Sequence, residues 1–210
     1  MQIKFSFLLI VFFLLLALIS YYQFDISAVF YVGDFIKKYP DFVKLGLFVQ
    51  YAFKFSVWII ISSATLIFLA LRSNKLSDLF LQRTALFCFS IILTLTICFF
   101  IKITLGRYRP ILLFSQHLFG FSGFSFQDAR NSFPSSHSAL IFCIASYLTY
   151  FFRSKLIHLI ILFLAIVLAA TRVIILKHYP SDVLVGASIG IISSTTIHYL
   201  YNYYFGKPHE

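Results

Sequence analysis

The chain has 210 residues, of which 60% are hydrophobic, 20% aromatic and only 11% charged. That balance excludes a water-soluble globular domain of this length, which needs far more charge to stay dispersed, and makes the bilayer the natural solvent. The net charge of +10 comes from cations scattered between apolar runs. No basic stripe or RNA- or DNA-binding motif accompanies them, so no nucleic-acid partner is expected and anionic headgroups or phosphates fit better.

Six apolar runs stand out against the roughly 20 residues that cross a bilayer. The first, about Phe5 to Tyr22, follows Lys4 and lacks a clear small-x-small cleavage site at its end, so it is expected to stay as an anchor. A mixed stretch from Asp25 to Gly46 holds Asp34, Lys37, Lys38, Asp41 and Lys44 among aromatics, which predicts an interfacial N-terminal helix. The second run is about Leu47 to Leu71, where Lys54 can snorkel to the surface. A polar connection, Arg72 to Arg83, leads to the third run, about Thr84 to Leu105, which ends in Gly106-Arg107-Tyr108-Arg109-Pro110. After a loop from Ile111 to Pro134 come the fourth run (about Ser136 to Phe152), the fifth (Leu156 to Leu176) and the sixth (Asp182 to Tyr201). Gly186 and Gly190 make a GxxxG in the last, which lets a neighbouring helix approach closely.

The expected fold is all-α: one domain over 1–210, an integral membrane bundle of about six transmembrane helices with its active site at one membrane face. Cys88, Cys98 and Cys143 lie in apolar runs without CxxC spacing, so they read as small buried hydrophobes. Lys4, Arg72, Lys75, Arg83, Arg153, Lys155 and Lys207 share one side of a six-span chain, which the positive-inside rule makes cytoplasmic. The opposite side carries Lys37, Lys38, Lys44, Lys102, Arg109 and Arg172.

An alternating chain brings four segment ends to that opposite side. They deliver Lys102 and Arg109, then Ser135, Ser136 and His137, then Arg172 and His178, and finally Asp182. A charge inside an apolar run costs about 2.5–3.5 kcal/mol on insertion scales, so Lys102 and Arg172 need a reason to be there. Phosphate supplies one, since lysine and arginine offer it charge and directed donors. Phe133-Pro134-Ser135-Ser136-His137 reads as a helix start with a serine N-cap, whose free amides form an anion site. Two histidines offer a nucleophile and a general acid. Asp182, four residues after His178, is placed to hold one imidazole nitrogen. A single acid beside three cations repels a divalent ion, so no metal and no cofactor are expected. Arg107 reads as a surface or headgroup contact, Lys177 as a surface charge with a secondary phosphate contact as its other reading, and His117, His158, His198 and His209 as interfacial or solvent-facing.

These residues resemble a known family. Lys102, six residues, then Arg109-Pro110 resembles the first signature of the type 2 phosphatidic acid phosphatases; Pro134-Ser135-Ser136-His137 resembles the second, usually Pro-Ser-Gly-His. Thr171-Arg172, five residues, His178, three residues, Asp182 resembles the third, usually beginning Ser-Arg. The resemblance covers residues 102 to 182. It implies that His178 is a nucleophile forming a phosphohistidine, with Asp182 orienting it and His137 protonating the leaving oxygen. It further implies a phosphate clamp of Lys102, Arg109, Arg172 and Ser135, with Ser136 and the local backbone. The family uses no metal. The implied substrate is a membrane lipid phosphate, with lipid A or undecaprenyl diphosphate ahead of phosphatidylglycerol phosphate or phosphatidic acid. The implied location is a bacterial inner membrane with the site facing the periplasm or exterior. Lipid-to-lipid phosphotransfer and a catalytically silent lipid-binding or transport protein are the competing functions.

Overall fold

The structure is a computed structural model that describes residues 2–71, 79–152 and 154–205. Helix α1 (Gln2–Ile19) is apolar on every side, as suits a helix surrounded by hydrocarbon and other helices. It runs through a π-helical segment, Ser20–Phe24, into α2 (Asp25–Lys38). This wide turn inserts a residue into the helical phase, and Ser20 and Asp25 at its two ends are both buried. Pro40 stops α2, because the residue before a proline is driven out of the helical region, and Tyr39 adopts φ −131 ψ 71. Helices α3 (Asp41–Ala52) and α4 (Phe55–Leu71) follow.

Two exposed ion pairs, Lys37–Asp34 and Lys44–Asp41, lie along the stretch expected to meet the interface. Asp25, at the head of that stretch, departs from the expectation because it is buried.

Helix α5 (Leu79–Leu105) leads to a short α6 (Pro110–Gln116), a 3-10 turn at Asp128–Arg130, then α7 (Ser136–Thr149), α8 (Lys155–Ile174) and α9 (Pro180–Phe205). Among the described residues, five helical runs are long and apolar enough to cross a membrane: Lys4–Lys38, Asp41–Leu71, Phe80–Leu105, Lys155–Ile174 and Pro180–Tyr204. The sixth apolar element, α7, has 14 residues. At 1.5 Å per residue it spans roughly 21 Å, less than the roughly 30 Å hydrocarbon core. Protein surrounds it instead: Ala139, Leu140 and Cys143 are fully buried, and α9, α5 and α8 pack around it.

Gly186 and Gly190 explain how closely α9 approaches α7. A Cβ on Gly186 would stand 2.4 Å from the Ser135 carbonyl oxygen, and one on Gly190 would stand 2.1 Å from that of Ala139. The outer surface is apolar, with Leu8, Ile60 and Phe163 each about two-thirds exposed. In water such a surface would drive aggregation; in a bilayer it is satisfied, and the chain is an integral membrane protein.

All three cysteines are buried and free. His198 is half-buried, stacked on Tyr150 with ring centroids 3.7 Å apart, and His158 is half-buried with Nε2 3.0 Å from the Thr149 carbonyl. Of the cations used for orientation, Arg72, Lys75, Arg153 and Lys207 lie outside the described residues, as does His209.

Candidate active site

The C-terminal ends of α5 and α8 meet the N-terminal ends of α7 and α9. Ser135 caps α7, its Oγ accepting from the Ser138 amide at 3.4 Å, while its own N–H donates to the Asp182 carbonyl at 3.1 Å. The cap thus ties the start of α7 to the start of α9. Lys102, Arg109, Ser136, His137, Arg172 and His178 line one cavity of about 460 Å³. Ser135 and Asp182, the other two residues picked from the sequence, are fully buried and do not line it. Segments far apart in the chain therefore converge as the alternating spans required.

His178 sits between α8 and α9, almost completely buried. Its Nδ1 lies 2.7 Å from the Ser132 carbonyl oxygen and 3.6 Å from Asp182 Oδ2. A carbonyl only accepts, so Nδ1 carries the proton and Nε2 keeps its lone pair. The expectation that Asp182 holds this nitrogen directly is thus modified: Ser132 holds it, and Ser132 Oγ in turn donates to Asp182 Oδ2 at 2.5 Å. Burial lowers the His178 pKa well below the usual imidazole range, with Asp182 working the other way.

His137 Nε2 lies 3.3 Å from the Gln50 carbonyl oxygen. That carbonyl is open because α3 breaks there: the Lys54 amide bonds to Tyr51 rather than reaching back to Gln50.

The cations differ in how they are held. Lys102 Nζ donates to the carbonyls of Asn131 and Pro134, at 2.8 and 2.9 Å, which uses two of its three protons. Arg109 pairs with the exposed Asp128 at 2.7 Å. Burial lowers the Arg109 pKa, and Asp128 partly offsets this. Arg172 is only 2% exposed, yet its Nε and Nη1 have no partner among the described residues. Unpartnered guanidinium donors on a cavity wall are what an anion would satisfy.

Arg107 corrects the sequence reading, which placed it at the surface. It is fully buried and ion-paired to both Asp25, at 2.6 Å, and Asp182. The rings of Tyr179 and Tyr21 face its guanidinium, with centroids 4.4 and 4.9 Å away. Gly106 makes the turn that sends it inward. The glycine has φ +47, and a Cβ there would lie 2.0 Å from the Gly123 carbonyl oxygen. Two signals pointed to this arrangement, the carboxylate of Asp25 beside an apolar run and the arginine of the basic cluster, but the sequence did not join them.

Residues 83–205 match the family model described as the PAP2 superfamily. The chain belongs to the PAP2 superfamily. Among curated proteins, it is 30% identical over 145 residues to a lipid A 1-phosphatase of Rhizobium johnstonii, covering 64% of this chain and 58% of the relative. It is 36% identical over 91 residues to a lipid A 1-phosphatase of Rhizobium etli, covering 43% and 38%. The matches thus span about 58% and 38% of these relatives' lengths. Among solved structures, the crystal structure of Aquifex aeolicus LpxE is similar with a TM-score of 0.47 and 23% identity, covering 73% of this chain and 86% of that one. The matched PAP2 region begins within α5, so α1 to α4 lie before it.

Proposed function

We propose that this chain is a membrane-bound lipid phosphatase, one domain over residues 1–210, that hydrolyses a phosphomonoester or diphosphate of a membrane lipid. The observation that carries this reading is the single cavity where Lys102, Arg109 and Arg172 stand around a histidine whose Nδ1 is engaged. Tyr51, Phe55, Phe99 and Phe126 line the same cavity and offer apolar surface to a lipid tail.

In this mechanism the Arg172 guanidinium donates to the phosphate oxygens, and Lys102 adds its third N–H. The lone pair of His178 Nε2 attacks phosphorus. An N–P bond forms as the P–O bond to the lipid breaks, and the departing oxygen takes a proton from His137. Water then attacks the phosphohistidine, returns a proton to His137 and releases inorganic phosphate with His178 neutral again. Asp182 stabilises the positive imidazole of the intermediate. Three cations around the phosphate disfavour a divalent ion, so no metal or cofactor is assigned a role.

Lipid A leads the candidate substrates because both curated relatives carry that name, with undecaprenyl diphosphate next. The expected setting is a bacterial inner membrane with the cavity facing the periplasm or exterior. The test is phosphate release by the detergent-purified protein from a panel of lipid phosphates, with and without chelator. Turnover that survives chelation and disappears in His178→Ala is expected. Undiminished turnover in that variant would rule the mechanism out.

A further inference from the structure

Beside the cavity lies a buried charge cluster that spans two ends of the chain. Asp25, on α2, accepts from Arg107 Nη2 at 2.6 Å, from Ser20 Oγ at 2.7 Å, from the Ser181 amide at 3.1 Å and from Ser181 Oγ. Arg107 Nη1 donates to Ser181 Oγ at 2.7 Å and to Asp182. Two carboxylates share one guanidinium, so the cluster keeps one net negative charge. If Asp25 were neutral, Arg107 would cancel the charge of Asp182 outright. Few sites could be drier: Asp25, Arg107 and Asp182 are all at most 1% exposed. In a low-dielectric site, a fixed charge acts over several ångströms with little screening.

We propose that Asp25 is a positioning residue for phosphoryl transfer, engaging one arm of Arg107 so that Asp182 faces His178 with its negative charge uncancelled. The inference rests on the phosphohistidine reading above. When Nε2 bonds to phosphorus while Nδ1 keeps its proton, the ring becomes cationic, and the cluster stabilises that cation. The π-helical segment supplies the geometry, since it places Ser20 against the Asp25 carboxylate it solvates. Asp25 lies outside the residues matched to the family, so this part of the machinery comes from the N-terminal helices.

The experiment uses the full chain in detergent, with dioctanoyl phosphatidic acid as substrate. Asp25→Asn keeps the shape and removes the charge. Its kcat is expected to fall on the order of tenfold or more with KM within about twofold. The double variant Asp25→Asn/Arg107→Gln, which restores one net negative charge, is expected to recover part of the loss. A purely structural role predicts the opposite, a double variant worse than the single. An unchanged kcat, a loss confined to KM, or a double variant no better than the single would each overturn the proposal. If Asp25→Asn does not fold, Ser20→Ala takes its place, with a smaller fall in kcat expected at constant KM and an unchanged kcat counting against the idea.

A second arm needs no turnover. Orthovanadate can bond to an imidazole nitrogen and leave charge on the ring, whereas inorganic phosphate binds without that bond. Asp25→Asn is expected to weaken orthovanadate binding about tenfold while leaving inorganic phosphate within twofold. Equal losses for the two anions would overturn the proposal. A wild-type protein that hydrolyses no lipid phosphate would instead defeat the phosphatase reading, and the orthovanadate comparison would then judge Asp25 alone.

Discussion

The Ser132 carbonyl oxygen stands 2.7 Å from Nδ1 of His178, while the nearest oxygen of Asp182 is 3.6 Å away. The backbone thus fixes which nitrogen of the imidazole holds the proton, and the carboxylate acts at slightly longer range through Ser132 Oγ. A histidine held this way presents its lone pair at Nε2.

That arrangement predicts an observable tautomer. In protein labelled with ¹⁵N at histidine, His178 is expected to be neutral at pH 6.5 and protonated at Nδ1. Burial lowers its pKa, so the neutral form persists to more acidic pH than for a free imidazole. The free enzyme keeps its nucleophile there, so any limb of kcat/KM due to His178 lies below pH 6.5. A His178 signal that titrates at or above 6.5, or an Nε2-protonated tautomer, contradicts the geometry.

Much of this site is legible in the sequence because its signals are local or costly. Ser135 as a helix cap follows from residues adjacent to it, and Lys102 and Arg172 announce themselves by sitting in apolar runs. Helix alternation alone brings their segments to one end. Ser132 was not legible because its contribution to His178 is a backbone carbonyl, which residue type does not encode. Arg107 was misread because a basic cluster after a span resembles an end-anchor, and its partner Asp25 lies 82 positions earlier. The same distance hid the meaning of Asp25, which looks like the start of an interfacial stretch until the π-helical segment buries it. The α3 break that opens the Gln50 carbonyl to His137 also has no proline or glycine to mark it.

Removing the arginine between the two acids should cost stability. Arg107→Ala leaves Asp25 and Asp182 buried together without a counter-charge, a type of change that destabilises by about 3–5 kcal/mol. Arg107→Lys retains a charge but not the fork that bonds both carboxylates, so it should fall between wild type and alanine. Thermal unfolding in detergent measures the order. Equal melting temperatures for Arg107→Ala and wild type would show that the cluster contributes nothing to the fold.

Arg172 should act through geometry as well as charge. Its buried Nε and Nη1 lack partners among the described residues, and a lysine cannot reproduce the planar, several-donor guanidinium. Arg172→Lys is therefore expected to lower kcat/KM for lipid phosphate by about 10- to 100-fold, or about 1.4–2.8 kcal/mol. It should also weaken the binding of inorganic phosphate, read by calorimetry. Full activity in the lysine variant would mean that charge alone suffices at this position.

The helix contact that aligns the site should be equally sensitive. A methyl on Gly186 would meet the Ser135 carbonyl oxygen at 2.4 Å and the Ala139 amide nitrogen at 3.3 Å. Both are backbone atoms, so relief requires α7 to move as a whole rather than a side chain to swing away. Overpacking of this kind costs about 1–3 kcal/mol. Here the displaced element is the helix start that carries Ser136 and His137 into the cavity, so activity should fall along with stability. Gly33→Ala is the matched control, because its nearest neighbour would be a ring atom of Phe114 at 3.4 Å, an ordinary contact. Melting temperature and kcat/KM for both variants make the comparison: Gly186→Ala lowers both, and Gly33→Ala changes neither appreciably. A Gly186→Ala protein with wild-type activity would mean that α7 tolerates displacement and that its register against α9 does not set the active geometry.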